Sequence, residues 1–97
     1  MYYKIKDGIL IRNIGGIYFI IDIFEPDYGK NKEILVINET GANIVEKMIE
    51  GKNFCLKDIV QEVKKIYYDI PENILDKDIT QLICRLIEES YVEELNK

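Results

Sequence analysis

Residues 33–51 read EILVINETGANIVEKMIEG. The stretch opens on Ile34, Leu35, Val36 and Ile37, an apolar run too short for a helix and rich in β-branched side chains, which predicts a strand. Asn38 follows with a side-chain oxygen of the kind that caps a helix start. Glu39 then places a carboxylate in the first turn, where the exposed amides favour negative charge. Ala42, Val45, Met48 and Ile49 recur at helical spacing, and Gly51 closes the helix. A strand that runs through one capping residue into a helix marks the place where a sheet meets a helical layer.

Upstream, residues 9–14 and 17–23 are β-branched and aromatic runs separated only by Gly15-Gly16. A two-residue turn needs positive φ, which glycine adopts without steric cost, so the pair predicts a hairpin. That turn sets Ile14 opposite Ile17, Arg12 opposite Phe19 and Leu10 opposite Ile21. Both hairpin faces are largely apolar, so both are expected to be covered; the alternative keeps one face for a partner. Residues 1–8 read as a lead-in, and FEPDYGKNK, residues 24–32, as a loop broken by Pro26, Gly29 and Asn31.

Downstream, residues 52–55 predict a short turn and residues 56–68 a helix with Leu56, Ile59, Val60, Val63 and Tyr67 on one face. Asp69-Ile70-Pro71 breaks it, because the residue before proline avoids helical geometry, and Pro71 can open the next helix. That helix runs to about residue 89 with Leu75, Ile79, Leu82, Ile83, Leu86 and Ile87 as its stripe. Tyr91 and Val92 then fold back onto the core and the last residues fray. The order βββααα predicts an α+β domain, a three-stranded antiparallel sheet followed by three helices, winged helix-turn-helix-like in arrangement.

Composition narrows the function. Ninety-seven residues make one domain, 1–97, with an ordinary apolar content and mixed charge. The longest apolar run, 17–21, is far too short to cross a bilayer, and MYYKIKDG lacks the apolar core of a signal peptide, so a cytoplasmic chain with no membrane partner is expected. Cys55 and Cys84 stand far apart in no metal-binding pattern and the chain has no histidine, which argues against zinc and for two free thiols. There is no P-loop, no GxSxG and no cysteine with a base partner, and Asp76 and Asp78 fall on different helix faces. The chain reads as non-catalytic, with no cofactor.

The net charge of −5 is carried by the helical half: residues 1–38 balance Lys4, Lys6, Arg12, Lys30 and Lys32 against Asp7, Asp22, Glu25, Asp27 and Glu33. A winged-helix DNA-binding regulator is the rival of the same topology. Its recognition helix would carry Glu72, Asp76, Asp78, Glu88 and Glu89 against Lys77 and Arg85, and such a helix repels phosphate, so nucleic acid is not an expected partner.

Specific residues add a family. Val36-Ile37-Asn38-Glu39-Thr40-Gly41-Ala42, then Glu50-Gly51, then Asp58-Ile59-Val60 with Tyr67 or Tyr68, then Asp78-Ile79, Leu82-Ile83 and Leu86, resemble the PqqD-like proteins over residues 8–93. These are the precursor-peptide recognition elements of ribosomally synthesised, post-translationally modified peptide pathways. The NETGA segment is the specific part. Two positions depart: Cys55 stands where a capping Thr or Ser is usual, a loss of about 1 kcal/mol, and Ser90 replaces the glycine that follows the last helix.

The resemblance implies a clamp that binds the leader segment of a precursor peptide as an added strand along the third strand, with the third helix as the other wall. A strand edge offers backbone donors and acceptors to an extended peptide, and alternate side-chain pockets give selectivity. The implied strand is Glu33, Ile34, Leu35, Val36 and Ile37; the implied wall is Leu75, Asp78, Ile79, Leu82 and Arg85. Whether the Val36 N–H faces the hairpin or the free edge stays open at this level. The implied partner enzymes are a radical SAM maturase, a cyclodehydratase or a leader peptidase, and a purely structural subunit of a maturase complex is the remaining alternative. An exposed edge also permits strand exchange between copies, hence a homodimer.

Overall fold

The computed structural model describes residues 1–24 and 35–95. The chain runs β1 (Tyr2–Ile5), β2 (Ile9–Ile14), β3 (Ile17–Asp22), β4 (Leu35–Ile37), α1 (Glu39–Gly51), β5 (Asn53–Cys55), α2 (Leu56–Ile66), α3 (Glu72–Glu88) and β6 (Val92–Leu95). The antiparallel order β2-β3-β4 is the three-stranded sheet expected ahead of three helices. Gly15 and Gly16 take φ of +61° and +84°, a type I′ turn, and the hairpin register is Ile14↔Ile17, Arg12↔Phe19 and Leu10↔Ile21, as the glycine pair dictates.

Three short segments depart from the expected pattern. Residues 2–5 are strand β1 rather than lead-in, residues 53–55 are strand β5 within the expected turn, and residues 92–95 are strand β6. Together they form a second antiparallel sheet, β5-β1-β6. Each is too short for periodicity to show; only pairing between segments far apart in sequence makes them strands. Tyr3 stacks on Phe54 across this sheet, ring centroids 5.7 Å apart. Lys6, just past β1, links the two sheets: its Nζ meets Asp22 Oδ2 of β3 at 2.8 Å, while its N–H donates to the Tyr91 carbonyl beside β6.

The core lies between the inner face of β2-β3-β4 and the helices. Ile20 and Leu35 from the sheet meet Ile44, Val45 and Met48 of α1, Ile59, Val60 and Val63 of α2, and Leu75, Ile79, Ile83 and Leu86 of α3. Burying each such side chain stabilises the fold by roughly 1.5–3 kcal/mol. Tyr91 and Val92 fold back into this core, as expected.

The outer face of the hairpin corrects the expectation that both faces are covered. Leu10, Ile14, Ile17 and Val36 are exposed there among the described residues. Among the described residues the hairpin is covered by the helices on one side only, which leaves one apolar face open.

Candidate peptide-binding groove

The site is built from the β4–α1 junction and one side of α3. Asn38 caps α1 as its residue type predicts: Oδ1 accepts the Gly41 N–H at 2.7 Å. A Cβ on residue 41 would come within 3.2 Å of that oxygen and 3.4 Å of Ile37 Cβ, so a larger residue would disturb the turn that fixes β4 against α1. Asn38, Thr40 and Gly41 thus shape the entry to the helix. On the far side, Asn43 Nδ2 donates to Tyr67 Oη at 2.8 Å and joins α1 to the end of α2. Lys64 Nζ donates to the Ile70 carbonyl, which fixes the link from α2 into α3.

β4 is an outer strand, and the register shows what its edge presents. In a two-residue hairpin the pair that flanks the turn exchanges both backbone hydrogen bonds, and so does every second pair beyond it. The series Ile14/Ile17, Arg12/Phe19 and Leu10/Ile21 extends to Gly8 and Ile23, where the Ile23 N–H donates to the Gly8 carbonyl at 2.9 Å. Tyr18 and Ile20 therefore turn their backbone groups the other way, toward β4, where they pair with Ile37 and Leu35. Val36, between them, points both its N–H and its C=O at the open edge. Its side chain stands on the outer face, 55% exposed.

That edge borders a groove of about 470 Å³ lined by Leu35, Val36, Ile37, Asn38, Thr40, Gly41 and Ile44 on one side and Asp78, Gln81, Leu82 and Arg85 of α3 on the other. Its floor is apolar and its α3 rim polar. The structure therefore brings Leu35, Val36, Ile37, Asp78, Leu82 and Arg85 together around one cleft. Glu33 and Ile34 lie outside the described residues. Leu75 and Ile79 do not line the groove: they are 1% and 0% exposed and belong to the core. The reason is rotational. At 100° per residue, the core stripe of α3 and the stripe through Asp78, Gln81 and Arg85 are about 120° apart around the helix, and Leu82 stands between them.

Sequence reading passed over Ile44 and Gln81. Ile44 sits one residue off the expected stripe of α1, and Gln81 carries no charge to draw notice; the spacing of Gln81 from Asp78 and Arg85, three and four residues, is the signal that places it on their face.

Other strand edges are less suited. β6 reads VEEL, and edge charges discourage pairing. β2 is also an outer strand, but none of the groove's lining comes from it. A second concavity, about 510 Å³, is lined by Lys4, Lys6, Asp7 and Glu93 among others and has no apolar strand edge. Among the described residues no group of three or more His, Cys, Asp or Glu side chains gathers to hold a metal, and Cys55 and Cys84 are free thiols. No helix among the described residues is long and apolar enough to cross a membrane.

No protein-family model and no curated protein matches the chain. Two solved structures do. One is TbiB1 in complex with the TbiA(beta) leader peptide, 15% identical, with a TM-score of 0.68 over 97% of this chain and 99% of that one. The other is lasso peptide synthetase B1 complexed with the leader peptide, 20% identical, with a TM-score of 0.66 over 95% of this chain and 98% of that one. At such identities the likeness speaks for the architecture: from end to end, this chain has the fold of those two proteins.

Proposed function

We propose that this chain is a non-catalytic, PqqD-like peptide-recognition protein of the cytoplasm. It captures the leader segment of a ribosomally synthesised precursor by β-strand addition to β4, against α3. The observation that carries the reading is Val36, whose backbone donor and acceptor are both aimed at an open edge that borders a groove. An extended peptide laid there gains main-chain hydrogen bonds from Val36 and buries apolar side chains on Leu35, Ile37, Ile44 and Leu82. The two structures that share the fold are both complexes with leader peptides, which supports the same use of this edge.

Once the leader is docked, the rest of the precursor stays mobile beside a modification enzyme, and tethering raises its effective concentration at that active site. A radical SAM maturase, a cyclodehydratase or a leader peptidase would each fit that arrangement. The lasso peptide synthetase neighbour supports a place in a peptide-maturation assembly. The DNA-binding alternative is disfavoured by α3, where Glu72, Asp76, Asp78 and Glu88 outnumber Lys77 and Arg85.

The test is titration of the full chain with labelled leader segments of precursor peptides encoded beside its gene. Val36→Pro is the discriminating variant. Proline there removes a donor that β3 does not use, so the protein should still melt cooperatively, while leader affinity should fall by about tenfold or more. Binding of duplex DNA with no leader bound would overturn the reading.

A further inference from the structure

The α3 rim of the groove carries its own information. Asp78, Gln81 and Arg85 form one stripe, and all three are exposed. Among the described residues their side chains make no hydrogen bond or ion pair, although Asp78 and Arg85 carry opposite charge on the same face. They stand two helical turns apart, about 10.5 Å along the axis, too far to pair with each other. The floor beneath them is apolar, so a peptide against this wall is partly desolvated, and a mismatched charge there would be costly.

Resting on the strand-addition reading, we propose that this groove selects an extended peptide bearing one cationic and one anionic side chain on its α3-facing side, the cation meeting Asp78 and the anion meeting Arg85. Strand geometry fixes their spacing. Side chains on one face of a strand recur every second residue, about 6.8 Å apart. The two charges must therefore be separated by an even number of positions. Two or four positions, about 7 or 14 Å, bracket the helix spacing, and the reach of long side chains closes the difference. A separation of three would send one charge to the outer face, beside Val36. Between the charged pair, the α3-facing residue of a four-position peptide stands over Leu82 and is apolar, with Gln81 free to bond polar groups alongside it.

The test uses the full-length protein and the leader segment that binds it, with each acidic and basic residue of the leader exchanged in turn. Asp78→Lys and Arg85→Glu should each weaken binding by about tenfold, and the affinity should fall as salt rises. The double variant should recover affinity for a leader in which the two charges are exchanged, and only when they are separated by two or four positions. Both sites are exposed, so thermal melts should be unchanged; Asp78→Asn and Arg85→Gln provide milder versions with the same direction. If the leader binds the parent protein and loses affinity with Val36→Pro, yet is indifferent to both charge reversals, the charge selection is wrong and the strand addition stands. If no leader binds the parent, both fail.

Discussion

Ser90 shows how one residue can keep a geometry that its type disfavours. After α3 the Tyr91 N–H reaches back to the Leu86 carbonyl at 2.9 Å and the Ser90 N–H to the Ile87 carbonyl at 3.0 Å, the paired bonds of a Schellman end. That motif needs a left-handed residue, and Ser90 supplies it at φ +65°. The helix thus ends as a glycine would end it, at a conformational cost. Ser90→Gly should raise stability by about 0.5–1 kcal/mol, read from the denaturant midpoint at unchanged slope, because glycine relieves more strain than it adds chain entropy. Cys55 is the second departure: it caps α2 with no side-chain hydrogen bond, as its type predicts. Asn38 is the opposite case, a cap legible from the residue alone and found bonded to Gly41. Single-residue chemistry was readable wherever it acts on its own neighbours in the chain. The exclusion of Leu75 and Ile79 from the groove was not, because both belong to a wide apolar stripe, and only the packing of α1 and α2 against α3 decides which part of the stripe is core.

Among the elements, the hairpin was the most legible, since two glycines between two β-branched runs fix both turn type and register. β4 was legible through its apolar residues and the cap that follows. β1, β5 and β6 were not: each has three or four residues, and each owes its state to partners 49 to 93 residues away. Tyr3, at the centre of that second sheet, offers a handle on it. Desolvation, with Glu94 and Cys84 nearby, holds its phenol above the ordinary tyrosine value. A group whose folded value is raised contributes stability below its unfolded value, near pH 10, and that contribution is lost as pH rises through the folded value. Melting temperatures between pH 8 and 11 should therefore fall more steeply at the alkaline end for the parent than for Tyr3→Phe. Equal slopes would mean that the second sheet places no constraint on that phenol.

For the molecule as a whole, the second sheet and the Lys6–Asp22 pair brace one side of the fold, and the helices cover the inner face of the first sheet. Among the described residues the outer face of the hairpin and the edge of β4 remain open. The order of the first sheet and the helices could be read from the chain, because strand runs and helix stripes are local patterns; a groove between β4 and α3 was implied only by the family resemblance. Which backbone groups face that edge could not, because the answer depends on hydrogen-bond parity carried across three strands from Gly15-Gly16 to Val36. The proposed strand addition rests on that parity. Amide hydrogen exchange, followed residue by residue with and without the leader, tests it most directly. Leu35 and Ile37 should be protected in the free protein while Val36 exchanges fast, and saturating leader should slow Val36 by at least about tenfold. A leader that binds and leaves the exchange of Val36 unchanged would contradict strand addition at β4.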